Sequence, residues 1–452
     1  MILLAGCAVD APDEPAAIDH QVTPSGRDRF EHAFAGTNGR TCASCHILGD
    51  HGILRPDRVA ALPASDPLFN PIDADDPSAT APTYLHLQHG LVRITLPLPA
   101  TMDVLDLEGN VITNAARTVE VWRGVPTIEN VAITAPYQLD GRIANLRDQA
   151  QAAISGHSQG PIVANAALDS IARFERTTFS SPRAEFVALL TAAGVDPDDI
   201  PIPEKHMPLS ASAKRGRDLF ARACAACHGT ATTNTIADRT VHDALFFQLR
   251  PDGTVIYDSV DGVPTPRLTP HPHDEFLNIG FGLLSGYGQL GILPMANADV
   301  ALPQYRFRFY RDATRTTQVV DLPPIPRDAD GNVVAPPNAT TQVDANGAPI
   351  VGPSLAPQWF STDPGRALIT GDPLDFDAFD IPQLRGIGHT APYFHDNSHA
   401  TLHDVVDSYS RFILPFLPTL GFPLQYQEPN SPFFESLSLA QKADLIAFLD
   451  VL

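Results

Sequence analysis

The stretch "NGRTCASCH" (Asn38–His46) has an echo in "ARACAACHG" (Ala221–Gly229), and both contain Cys-x-x-Cys-His. The two histidines, His46 and His228, stand 182 positions apart. Two thiols followed at once by an imidazole meet the needs of a covalently held c-type haem, with one sulfur for each vinyl group and a nitrogen for the iron. A zinc site calls for a second Cys/His pair at finger spacing, and the sequence places none nearby. A redox dithiol does not call for the histidine, which here follows both motifs. The motifs therefore predict two covalently bound haem c groups, one on Cys42 and Cys45 and one on Cys224 and Cys227. His46 and His228 are then the proximal iron ligands. Attachment of this kind happens outside the bacterial cytoplasm, so a periplasmic or cell-envelope location is expected.

The repetition extends beyond the motifs. "GRDRF" at Gly26 and "GRDLF" at Gly216 precede them, and two longer segments follow. "VPTIENVAITAPYQLDGRIANLRDQAQAAI" from Val125 aligns without gaps with "IPQLRGIGHTAPYFHDNSHATLHDVVDSY" from Ile381, at an offset of 256. Pro126 meets Pro382, Thr134–Tyr137 meet Thr390–Tyr393, and Leu146 meets Leu402. The chain reads as a duplicated cytochrome c unit, each copy with an attachment helix and a later distal segment.

The alignment also separates the two copies. "TLHDVVDSY" has the signature of a helix capped by Thr401 with Asp404 in a capping box. Leu402, Val405, Val406 and Tyr409 follow i, i+3, i+4, i+7, which puts Tyr409 on the inward face. The matching residue of the first copy is Ala153, which has nothing to ligate with, and Gln149 stands where the second copy has Val405. An inward glutamine needs a polar partner, because burying it unpaired costs about 1–3 kcal/mol. A water, oxygen or peroxide on an open iron would be one. One haem with a tyrosine as sixth ligand and one with an open face is the arrangement expected of a storage haem beside a reactive one. Met102 and Met295 are the alternative ligands; "ATMDVLDLEGNVIT" reads as a β-hairpin turning at Glu108–Asn110, which makes Met102 a strand residue.

Taken together, the motif pair, "VPTIENVAITAPYQLDGR" and "LRGIGHTAPYFHDNSHATLHDVVDSY" resemble the bacterial di-haem cytochrome c peroxidase/MauG family from about Gly26 to Leu452. The resemblance implies two α-helical cytochrome c domains, an N-terminal peroxidatic haem and a C-terminal electron-transfer haem. It also implies a tyrosine ligand at Tyr409, as in the MauG branch, where peroxidases carry methionine. Gln149 matches the family's distal glutamine. The glutamate expected ten residues later is replaced by Gln159, which leaves Gln159 or the neighbouring His157 for acid–base work. Leu139 stands where the family has an inter-haem tryptophan, with Tyr137 as a substitute relay, and Gly124 stands where many members carry a calcium-binding asparagine. The implied reactant is hydrogen peroxide. The implied partner is a small redox protein (cytochrome c or cupredoxin) or an oxidised protein or organic substrate. Two rivals remain open at this stage: a two-haem electron shuttle, and a haem dioxygenase resembling the rubber oxygenases.

Composition sets the frame around these readings. The chain has 452 residues, 44% hydrophobic and 18% charged, with a formal net charge of −22, which speaks against nucleic acid as a partner. The fifth cysteine, Cys7, lies in "LLAGC", which resembles a lipobox and implies a lipid anchor as the only membrane attachment. The expected fold is mainly α, two tandem cytochrome c-like domains with small β-hairpin insertions. Residues 1–23 form the signal/lipobox and tether, 24–200 the first domain and 209–452 the second, with an insertion at about 250–370. Between motif and "TAPY" the second copy is 74 residues longer than the first. "GVDPDDIPIPEKHMP" (Gly194–Pro208) reads as the interdomain linker, and "LDSIARFERT" and "LAQKADLIAFLDVL" as closing helices. The arginines at 306, 308, 311 and 315 form the one basic cluster, suited to haem propionates or an anionic partner.

Overall fold

The computed structural model describes residues 24–236, 295–321, 361–416, 420–429 and 433–452, with three strands at 257–260, 263–266 and 276–278 and a turn at 329–330. Cys7, His271, His273 and the Pro-rich run from Pro323 to Pro357 lie essentially outside these residues. The described part is helix-rich, with a few small sheets of two or three strands.

Each copy is framed by a pair of crossed helices. In the first, Gly26–Glu31 packs against Asn165–Glu175; in the second, Ala211–Ala223 packs against Leu439–Leu449. The crossing is possible because the contact residue is glycine both times. A Cβ on Gly26 would overlap the Ser170 carbonyl, and one on Gly216 would overlap that of Asp444. One turn on, Phe30 meets Phe174 edge-on (centroids 5.2 Å, 61°), and Phe220 meets Phe448 in the same way (5.3 Å, 61°). Both closing helices are amphipathic, as the sequence predicts; Leu168 and Ile171 face one core, Leu445 and Phe448 the other.

The distal segments repeat equally closely. Tyr137 bridges Ile143 and its hydroxyl donates to the Val131 carbonyl at 3.1 Å. Tyr393 bridges His399 and donates to Ile387 at 2.9 Å. The next residue is left-handed in both, Gln138 at φ 72 and Phe394 at φ 68, which is rare for a side-chain-bearing residue. Asn145 and Thr401 then cap the helices Leu146–Gly156 and Leu402–Ser408 by accepting from the amides of Asp148 and Asp404. The capping box at Thr401 and Asp404 is present, and at Tyr409 the helix widens into one π-helical stretch, Tyr409–Ile413.

The β-structure departs from a set of local hairpins. Leu91–Pro97 pairs antiparallel with Thr118–Gly124, but Met102–Leu105 pairs with Arg306–Tyr310, which in turn pairs with Gln318–Asp321. The turn at Glu108–Asn110 is there, with Leu105 bridging Val111. Every residue of Met102–Leu105 is buried, so this strand needs cover that its own turn does not supply. Phe307 and Phe309 supply it, and together with Leu87, Val104, Val121 and Leu368 they build one core from both halves of the sequence.

The segment between the copies is tied down. Glu204 is fully buried and receives Arg385 from the second distal segment (2.6 and 3.1 Å) and Arg183 from the helix Pro182–Ala192 (3.1 Å). No helix among the described residues is long and apolar enough to cross a membrane.

Candidate functional site

Thr41 caps the short helix Cys42–Cys45 by a capping box with Ser44, and His46 ends it. His46 Nδ1 donates to the Gly52 carbonyl at 3.0 Å, and His228 Nδ1 to that of Thr233 at 3.2 Å. A carbonyl only accepts, so Nδ1 carries the proton and Nε2 keeps its lone pair for a metal. Burial holds both imidazoles neutral by lowering their pKa values, that of His228 to about 4. Desolvation pushes the thiols of Cys42, Cys45 and Cys224 up to about 12, so without a bound group they are neutral sulfurs.

Around each histidine the chain leaves space. Cavities of about 60 and 160 Å³ adjoin Cys45 and His46, and cavities of about 250 and 130 Å³ adjoin Cys224 and His228. Two cysteine sulfurs, a neutral imidazole oriented through Nδ1 and adjoining space suit a thioether-linked haem at both places.

Matched positions in the two sets of walls differ in polarity. Gln149, Ala153, His157 and Glu175 line the His46 cavities. Their counterparts Val405, Tyr409, Ile413 and Leu449 line those of His228. The counterparts of Gln149, Ala153 and His157 follow the 256 offset; that of Glu175 follows the helix crossing, which matches Phe174 with Phe448. The Tyr409 hydroxyl is driven far up by burial next to the Cys224 and Cys227 sulfurs, so without a metal it is neutral phenol. Burial lowers the pKa of His157, whose backbone carbonyl accepts from Asn38 at 3.0 Å.

Gln159 is placed differently. A left-handed turn (φ 51) carries it away after the helix, and it is exposed, with its side-chain oxygen accepting from Asn38 at 3.2 Å. It is not part of the cavity walls next to His46. Met102 is fully buried beneath Phe307 and Phe309, and neither it nor Met295 reaches those walls or the ones around His228.

Sequence reasoning missed Glu175, whose only signal was a carboxylate near the end of an apolar-striped helix. Gly124, Val125, Pro126, Thr127 and Leu139 line both the 160 Å³ and the 250 Å³ cavities, so this strip is a common wall. Leu139 thus stands between the two sites, whereas Tyr137 faces only the first and is held by its bond to Val131. At Gly124 a Cβ would overlap the Asn397 side chain, which donates to the His89 carbonyl at 2.9 Å. The neighbouring Arg123 is buried between Asp140 (2.5 Å) and Asp363 (2.6 and 3.0 Å). The arginine cluster is partly absorbed by the fold: Arg306 is buried, and Arg315 joins Arg117 and the Tyr310 hydroxyl on Asp103.

Such a pair of sites has the make-up of two haem-attachment sites, and comparison with known proteins gives partial matches. No family model matches the chain. Over 50 residues, 11% of the chain, it is 44% identical to the cytochrome-c peroxidase IdrP2 of Denitromonas iodatirespirans and, over a stretch of the same length, to the cytochrome c551 peroxidase of Nitrosomonas europaea. These matches span 14% and 15% of the two peroxidases' own lengths. A solved MauG-like protein associated with microbial copper homeostasis aligns over 99% of this chain and 95% of its own, at 17% identity and a TM-score of 0.40. The hydrazine synthase of Kuenenia stuttgartiensis aligns at 13% identity and a TM-score of 0.35, over 100% of this chain and 99% of its own. The peroxidase matches support the di-haem cytochrome c peroxidase/MauG family that the motifs resemble.

Proposed function

We propose that the chain is a di-haem c-type oxidoreductase that uses hydrogen peroxide at the His46 haem, with electrons or oxidising equivalents passing through the His228 haem. The observation that supports this best is the contrast at matched positions: Gln149, Ala153, His157 and Glu175 against Val405, Tyr409, Ile413 and Leu449. Residues 24–200 and 209–452 are assigned to the two haem-bearing units. When bound, haem supplies an iron that exchanges electrons and, where its second face is open, takes an oxygen ligand.

The residues divide the work between the sites. His46 and His228 would hold the irons through Nε2, each imidazole oriented by its Nδ1 bond to a backbone carbonyl. Ala153 leaves room on the first site, and the Gln149 amide offers a hydrogen bond to a small oxygen ligand there. His157, neutral in its buried place, is able to accept or pass a proton. Tyr409 is the side chain at hand for the second iron; ligation would strip its proton, and an anionic oxygen favours the oxidised metal. Tyr409 as a ligand would therefore suit the second site to storing oxidising equivalents more than to low-potential donation. This favours oxidation of a protein or organic substrate, reached directly or through a small redox protein on the periplasmic side, over simple peroxide removal.

Electron paramagnetic resonance of the oxidised, haem-loaded protein tests the reading. One high-spin and one low-spin haem, with peroxide perturbing only the first, is the expected result. Two low-spin haems inert to peroxide would leave an electron shuttle, and turnover of a polyisoprene-type substrate with oxygen would leave a dioxygenase.

A further inference from the structure

Glu175 is 4% exposed, and its Oε2 has no hydrogen-bond partner in the structure. Among the described residues it is the single carboxylate in the walls of both cavities next to His46. The crossing of the closing helix aims it there: Phe174 is spent on Phe30, and the next residue lies on the side of Cys42. In the second copy the same crossing spends Phe448 on Phe220 and aims Leu449 into the His228 cavity. Leucine is the expected residue at such a contact, since burying a carboxyl without a partner costs free energy and returns none in packing. The fold therefore carries a polar group in the first copy at a place where the second shows that an apolar one fits.

We propose that Glu175 is the acid–base residue of the His46 cavity, exchanging a proton with a small oxygen ligand held there beside Gln149. The inference rests on the haem reading above. In the forward direction the carboxyl O–H bond breaks and an O–H bond forms on the ligand, with the negative charge left on Glu175. In the reverse direction the carboxylate recovers a proton from the ligand or from water, so no further reactant is needed. Burial supports the role by raising the carboxyl to about 8, against which Arg176 beside it works in the other direction. The acid is thus protonated at neutral pH. Among the described residues, the other ionisable groups lining this space are Arg29 from the first helix and His32 at its end, Arg40, Cys42, Cys45 and His46 around the attachment motif, Arg123 from the strand Thr118–Gly124, Tyr137 and Arg142 ahead of the distal helix, and His157 at its end. His157 differs from Glu175 in being kept neutral as a base, not as an acid, by the same burial.

The sign of the pH effect follows from the acid form. Glu175 holds its proton below its transition and loses it above, so the reaction with peroxide should slow as pH rises through that transition. The test uses the full haem-loaded protein and the variants Glu175→Gln, which keeps the shape without the titration, and Glu175→Leu, which copies Leu449. Two haems per chain, measured by pyridine haemochrome absorbance, are expected in all three; their absence in the parent protein would refute the haem reading itself. Optical and paramagnetic spectra recorded from pH 5 to 10 should show a one-proton transition of the His46 haem in the parent and none in either variant. Peroxide should react about 100-fold or more slowly in both variants, with the low-spin signal of the other haem unchanged. An unaltered transition and rate in Glu175→Gln would overturn the proposal. So would a transition that survives in Glu175→Gln and vanishes in His157→Gln.

Discussion

A single hydroxyl separates the two versions of the site at position 409. Tyr409→Phe keeps the ring in its place beside Phe394 (centroids 6.5 Å) and removes the one atom of the side chain able to bind iron. Haem content should stay at two per chain, while the low-spin paramagnetic signal of the His228 haem changes; an unchanged signal would refute ligation by Tyr409. The readings that rest on residue spacing were legible at this scale. Ala153, Gln149 and His157 fall on the cavity side of one helix because the 3.6-residue period puts them there. Gln159 was not legible, because its direction depends on a left-handed turn that nothing in "SGHSQGP" requires of a glutamine. Glu175 was hidden for a different reason: its role comes from the crossing of two helices distant in sequence, which the helical period of its own segment does not encode.

At the scale of elements, the crossings at Gly26 and Gly216 fix both copies. A methyl group at either point meets a backbone carbonyl, which cannot rotate aside as a side chain can. Gly216→Ala should therefore cost about 1–3 kcal/mol or more, despite the better helix propensity of alanine, and Gly26→Ala a similar amount. Thermal unfolding followed by far-ultraviolet circular dichroism measures this, and a rise in midpoint would refute the steric account. The helices, their caps and their apolar stripes were readable because those signals are local. The sheet was only half readable. Alternation marks Arg306–Tyr310 as a strand, but the pairing of Met102–Leu105 with it joins residues about 200 apart, and nothing near either strand announces the other.

For the whole molecule, the Pro-rich stretch between the copies behaves as a clasp. Fully buried Glu204 carries two arginines, one from each side of it in sequence: the buried Arg385 and the part-exposed Arg183. Glu204→Ala leaves Arg385 buried without its carboxylate, a loss of about 3–5 kcal/mol. Limited proteolysis should then cut between Gly194 and Pro208 well before the parent chain is touched. Resistance equal to the parent would show that the clasp holds nothing. Composition suggests a linker here, and only the long-range ion pairs reveal that it is fastened.

The twin glycine crossings also divide the labour between residues. Chemistry and framework reside in different residues: the crossings, the edge-on phenylalanines and the tyrosine bridges recur in both copies, whereas the lining side chains at 149, 153, 157 and 175 do not match 405, 409, 413 and 449. A lining side chain can therefore be exchanged in either segment without disturbing the crossing that frames it. Two unlike workshops could thus be furnished inside the same pair of walls, one substitution at a time.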